Sequence, residues 1–91
     1  MLTIKFDRLN LKPGDTFLDA GTGFGRHAFE AARRGARVVA LDYAEQEVTT
    51  TRATFAAMYE AGELDPTSFT GVVRGDATCL PFDDAMFDCI V

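Results

Sequence analysis

The stretch that most limits how this chain can fold is Thr16 to Ala20 (TFLDA), which runs directly into Gly21-Thr22-Gly23-Phe24-Gly25. The first five residues are short, mostly apolar and β-prone, so they predict a strand, and the glycines predict a loop. From Arg26 onward Ala28, Phe29, Ala31 and Ala32 recur at helical spacing, with Arg33-Arg34 in the last turn and Gly35 as the stop. A turn signal, Pro13-Gly14-Asp15, precedes the strand. Strand, glycine loop and helix in that order form the start of a βαβ unit.

The pattern continues through the chain. Ala36 to Leu41 (ARVVAL) is an apolar run of strand length closed by Asp42. Glu45 to Ala61 carries Val48, Phe55, Ala56, Met58 and Tyr59 on a helical period and stops at Gly62, although Thr49-Thr50-Thr51 lowers local helix propensity. Pro66 marks a loop before a third strand, Phe69 to Val73, which leads into Gly75-Asp76-Ala77. Pro81 and Asp83-Asp84 mark another loop before a fourth strand, Phe87 to Val91. The first, second and fourth strands read as runs buried on both faces of a parallel sheet, so the class is α/β. With 91 residues, no repeat and no low-complexity segment, one small domain is expected.

Composition narrows the function classes. A content of 47% hydrophobic and 25% charged residues fits a globular chain, and a disordered one would be far less apolar. The formal charge of −5 repels phosphate backbones and anionic headgroups, so direct nucleic-acid or membrane binding by this segment is not expected. Lys5, Asp7 and Arg8 interrupt any apolar signal core. Cys79 and Cys89 lack metal-ligand spacing and are too few for a secreted disulfide scaffold. A cytoplasmic protein with reduced thiols and no metal is the expectation.

A glycine loop between strand and helix lets a ligand approach the backbone, and the helix's first N–H groups are available to it. A nucleotide-type ligand follows. Asp42, at the carboxyl end of the second strand, stands where an acid in such folds bonds ribose hydroxyls; its plainer role would be to cap the next helix. Two cofactors fit this far. NAD(H) favours G-x-G-x-x-G, which needs glycine where this chain has Arg26. Asp19 and Asp76 also make the rim acidic, which opposes a pyrophosphate and suits a sulfonium with an α-amino group.

Phe17-Leu18-Asp19-Ala20-Gly21-Thr22-Gly23-Phe24-Gly25 resembles the first motif of class I S-adenosylmethionine-dependent methyltransferases. Val39 to Ala44 (VALDYA) resembles that family's ribose-binding motif, and Gly75 to Phe82 with Phe87-Asp88 is similar to its adenine-contacting stretch and fourth strand. The resemblance covers residues 17 to 91. It implies a Rossmann-like methyltransferase fold, here cut short within the fourth strand, with parallel strands in the order 3-2-1-4 and flanking helices. It further implies S-adenosylmethionine as cofactor, with Asp19 near its amino group and Gly21, Thr22 and Gly23 around the methionine part. Asp42 would hold the ribose, Tyr43 would stack on adenine, and Asp76 and the Ala77 amide would bond the adenine edge.

No catalytic residue or methyl acceptor is identified, because the family's acceptor-binding groups usually follow the fourth strand. Arg26 and His27 are read as solvated or cofactor-facing rather than catalytic, the threonine run as a solvated helix face, and both cysteines as packing residues. Phe87, Cys89, Ile90 and Val91 form an edge that invites self-association. Two other readings stay open at this point: a non-catalytic S-adenosylmethionine-binding or interaction module, and a fragment of a NAD-dependent oxidoreductase.

Overall fold

A computed structural model describes residues 11–21, 26–75 and 87–90. Its elements are β1 (Thr16–Ala20), α1 (Arg26–Arg33), β2 (Arg37–Asp42), α2 (Glu45–Glu60), β3 (Thr70–Arg74) and β4 (Cys89–Ile90). Glycine ends both helices by one mechanism. Gly35 and Gly62 have φ of +89° and +75°, and the pairs Gly35–Ala36 and Gly62–Glu63 donate their amides back to Ala32 and Ala31, and to Tyr59 and Met58. This is the Schellman closure, which satisfies carbonyls that the last helical turn would leave unpaired.

All strand pairs are parallel and the sheet order is β3-β2-β1-β4, as expected. Phe17, Val38 and Ala40 share one face and pack with Ala28, Ala31 and Ala32 of α1 and Phe55 and Met58 of α2. Phe29 of α1 meets Phe55 of α2 edge to face, with ring centroids 5.0 Å apart. Both helices therefore cover the same side of the sheet. Leu18 and Leu41, on the opposite side by strand alternation, are also fully buried.

Side chains fix the strand ends. The Asp88 carboxylate accepts from the Thr16 amide at 2.8 Å and the Thr16 hydroxyl at 2.9 Å, which holds the start of β4 against the start of β1. These bonds hold the Asp88 carboxyl below its ordinary value. The Tyr59 hydroxyl donates to the Ser68 carbonyl at 2.8 Å and ties α2 to the entry of β3. On the outer strand β3, the Val72 carbonyl accepts from Arg52 at 3.0 Å. A charged group placed there blunts an otherwise open edge.

Three expectations need correction. Thr51 belongs to the core and not to a solvated face: the buried positions of α2 are Val48, Thr51, Phe55 and Met58, whereas Thr49, Thr50 and Ala56 are exposed. Spacing put Thr51 inward and Ala56 outward regardless of residue type. The third strand begins at Thr70, and the Phe69 ring lies exposed with the Arg37 guanidinium over it at 6.0 Å. In β4, finally, Ile90 is 41% exposed, so this strand is not buried on both faces. It pairs only with β1 among the described residues.

Candidate functional site

Because the strands are parallel, β1, β2 and β3 deliver Ala20, Asp42 and Arg74 to the same rim of the sheet. Ligands of open α/β sheets bind at this carboxyl rim. Gly21 follows directly, with φ +84°, a left-handed conformation that L side chains resist. A Cβ built there would meet nothing within 4 Å. Its amide donates to the Leu41 carbonyl at 2.8 Å and so stitches the end of β1 to the end of β2.

The other side of β2 is stitched by a second glycine. The Gly75 amide donates to the Asp42 carbonyl at 2.9 Å, and a Cβ on Gly75 would come within 2.8 Å of Leu41 Cδ1. Leu41 is fully buried, so it has little room to yield. Glycine at 75 thus lets β3 leave the sheet close against β2.

Asp42 and Tyr43 occupy the turn between β2 and α2. Asp42 Oδ1 accepts from the Ala44 amide at 2.9 Å. The helix cap itself is Ala44, which makes no side-chain cap bond, so Asp42 shapes the turn without serving as the cap. The Tyr43 ring is 72% exposed. Arg74 reaches it from β3: its Nε donates to the Tyr43 carbonyl at 3.0 Å, and its guanidinium lies over the ring at 6.0 Å from the centroid. Sequence reasoning missed Arg74, although an arginine directly before Gly75-Asp76 stands at the carboxyl end of the third strand.

Asp19 is 3% exposed and lies opposite Ala40, on the helix-covered face. Gly21, Asp42 and Tyr43 are thus brought to one rim, with Asp19 just inside it. Thr22, Gly23, Asp76 and Ala77 lie outside the described residues. At the start of α1, Arg26 is exposed and His27 half-buried. Cys89 packs against the core, and burial raises its thiol pKa, which keeps it away from the reactive thiolate. Cys79 is not among the described residues. No group of three metal-ligating side chains occurs among the described residues, and no helix among them is long and apolar enough to cross a membrane.

Residues 17–91, which contain every one of these rim positions, match the methyltransferase-domain family. The chain belongs to that family. A 34-residue stretch is 53% identical to a "Probable fatty acid methyltransferase" of Mycobacterium tuberculosis, covering 37% of this chain and 8% of that protein. The fold matches an S-adenosylmethionine-dependent methyltransferase from Mesorhizobium loti with a TM-score of 0.71 and 26% identity, over 93% of this chain and 35% of that one. A methyltransferase of the same description from Aquifex aeolicus shares the fold with a TM-score of 0.70 and 24% identity, over 93% of this chain and 43% of that one. The chain therefore matches less than half the length of each of these relatives.

Proposed function

We propose that this chain binds S-adenosylmethionine and forms the cofactor-binding portion of a methyltransferase whose acceptor is held by groups outside it. The observation that carries this reading is the stitched rim. Gly21, with open space where a side chain would stand, is bonded to Leu41, and the next two residues are the ribose candidate Asp42 and the exposed ring of Tyr43. A glycine conformation, a carboxylate and a flat amphipathic ring suit, respectively, a close backbone approach, a diol and a base.

When bound, the cofactor supplies an electrophilic methyl group on a sulfonium, so the protein's share of the chemistry is binding and orientation. In this reading Asp19 favours the cationic amino end, Gly21 with Thr22 and Gly23 gives it backbone room, and Asp42 accepts from the ribose hydroxyls. Tyr43 offers its face to the adenine, with Asp76 and the Ala77 amide at the base edge. We place the protein in the cytoplasm, where this cofactor and reduced cysteines are at home.

Calorimetric titration with S-adenosylmethionine, S-adenosylhomocysteine and NAD tests the reading, with Asp42→Ala as control. Binding of the first two, lost in the variant, is the expected result. Binding of NAD alone would replace the reading with the oxidoreductase one.

A further inference from the structure

We propose that Arg74 is a positioning residue for the adenosine end of the site, acting through Tyr43; the inference rests on the cofactor reading above. Three consecutive carbonyls at the end of β2 are held from outside the strand. Leu41 accepts from the Gly21 amide, Asp42 from the Gly75 amide, and Tyr43 from Arg74 Nε. The first two donors are backbone groups of the residues that directly follow the neighbouring strands. At Tyr43 β2 has ended, and a side chain takes over the role.

Arg74 is placed to do this by register. It pairs with Asp42 across β2 and β3, so its side chain starts one residue from the turn it secures. The planar guanidinium then makes two contacts at once, a hydrogen bond through Nε and a position over the Tyr43 ring. A ring that is 72% exposed gains little orientation from burial. Without the guanidinium over it the ring would exchange between rotamers more readily, and a ligand stacking on it would have to supply more of the ordering itself. With the cation over one face, the other face is left to a planar base.

The test is a double-variant cycle on the whole chain, with S-adenosylhomocysteine as titrant and Arg74→Ala, Tyr43→Ala and their combination as variants. Arg74→Ala is expected to weaken binding about threefold to tenfold. In the Tyr43→Ala background the same change is expected to cost less, about twofold or under, because the ring contact is gone and only the bond to the backbone carbonyl of residue 43 remains. Tyrosine fluorescence anisotropy gives a readout without ligand, since the chain has two tyrosines and no tryptophan. Arg74→Ala should lower the anisotropy when Tyr43 is present and leave it unchanged when Tyr43 is absent. Equal losses in both backgrounds, or an unchanged Kd in Arg74→Ala, would overturn the proposal while the cofactor reading stands. Failure of the wild-type chain to bind S-adenosylhomocysteine would remove both.

Discussion

Gly21 offers a way to separate what the backbone demands from what the ligand demands. Replacing it with alanine adds a Cβ that meets nothing within 4 Å among the described residues, so these impose no steric penalty. The cost comes from φ at +84°, which an L-residue adopts at about 1–2 kcal/mol. For a domain of this size that corresponds to a fall in Tm of roughly 4–16 °C. Asparagine tolerates left-handed backbone better than alanine does, so Gly21→Asn should cost less stability than Gly21→Ala. Its side chain is larger, however, and would stand in the space assigned to the cofactor. The expected pattern is thus an inversion: Asn is the milder change by circular-dichroism melting and the more severe one by titration with S-adenosylhomocysteine. If Gly21→Asn binds as tightly as the wild-type chain, the open space at Gly21 is not the ligand's, and the reasoning fails.

Three further outcomes follow from other parts of the fold. The Thr51 hydroxyl is fully buried with no hydrogen-bond partner among the described residues, so Thr51→Val, which keeps the shape and removes the polar atom, should stabilise the chain by about 1–2 kcal/mol in urea unfolding; a loss of stability would show that the hydroxyl is satisfied. The Asp88 carboxyl is held below its ordinary value of 3.8 by its bonds to Thr16, so its contribution is full above that value and disappears as pH falls through the lower, folded one. Asp88→Asn should therefore flatten part of the acid limb of the stability curve, Asp65 retaining its own share through Thr67, and an acid limb of unchanged slope would contradict this. Finally, the 41% exposed Ile90 on β4 leads us to propose self-association of this chain through that edge, which light scattering at increasing concentration would reveal as a rising mass, or refute by a constant monomer mass.

Much of the fold could be read from the sequence because its signals were local. Gly35 and Gly62 stop helices through backbone conformation, and TFLDA followed by glycine specifies a strand and its exit without help from distant residues. Where tertiary packing decides, residue type misled. Thr51 and Ala56 exchanged their expected places because α2 buries positions 48, 51, 55 and 58, whichever side chains stand there. The site divides in the same way. Gly21, Asp42 and Tyr43 were legible as a motif, whereas Arg74 owes its role to a register with Asp42 and a bond to the Tyr43 carbonyl. No spacing rule along one strand contains that information.

We propose the rim built by Gly21, Asp42 and Tyr43 as a site for S-adenosylmethionine. Calorimetric titration of the wild-type chain and Asp42→Ala with S-adenosylhomocysteine, with NAD as the competing ligand, tests it most directly. Saturable one-to-one binding of S-adenosylhomocysteine is expected, falling at least about tenfold in the variant because a charged hydrogen-bonding group is removed, with no heat from NAD. Binding that is indifferent to Asp42, or binding of NAD in preference, would contradict it.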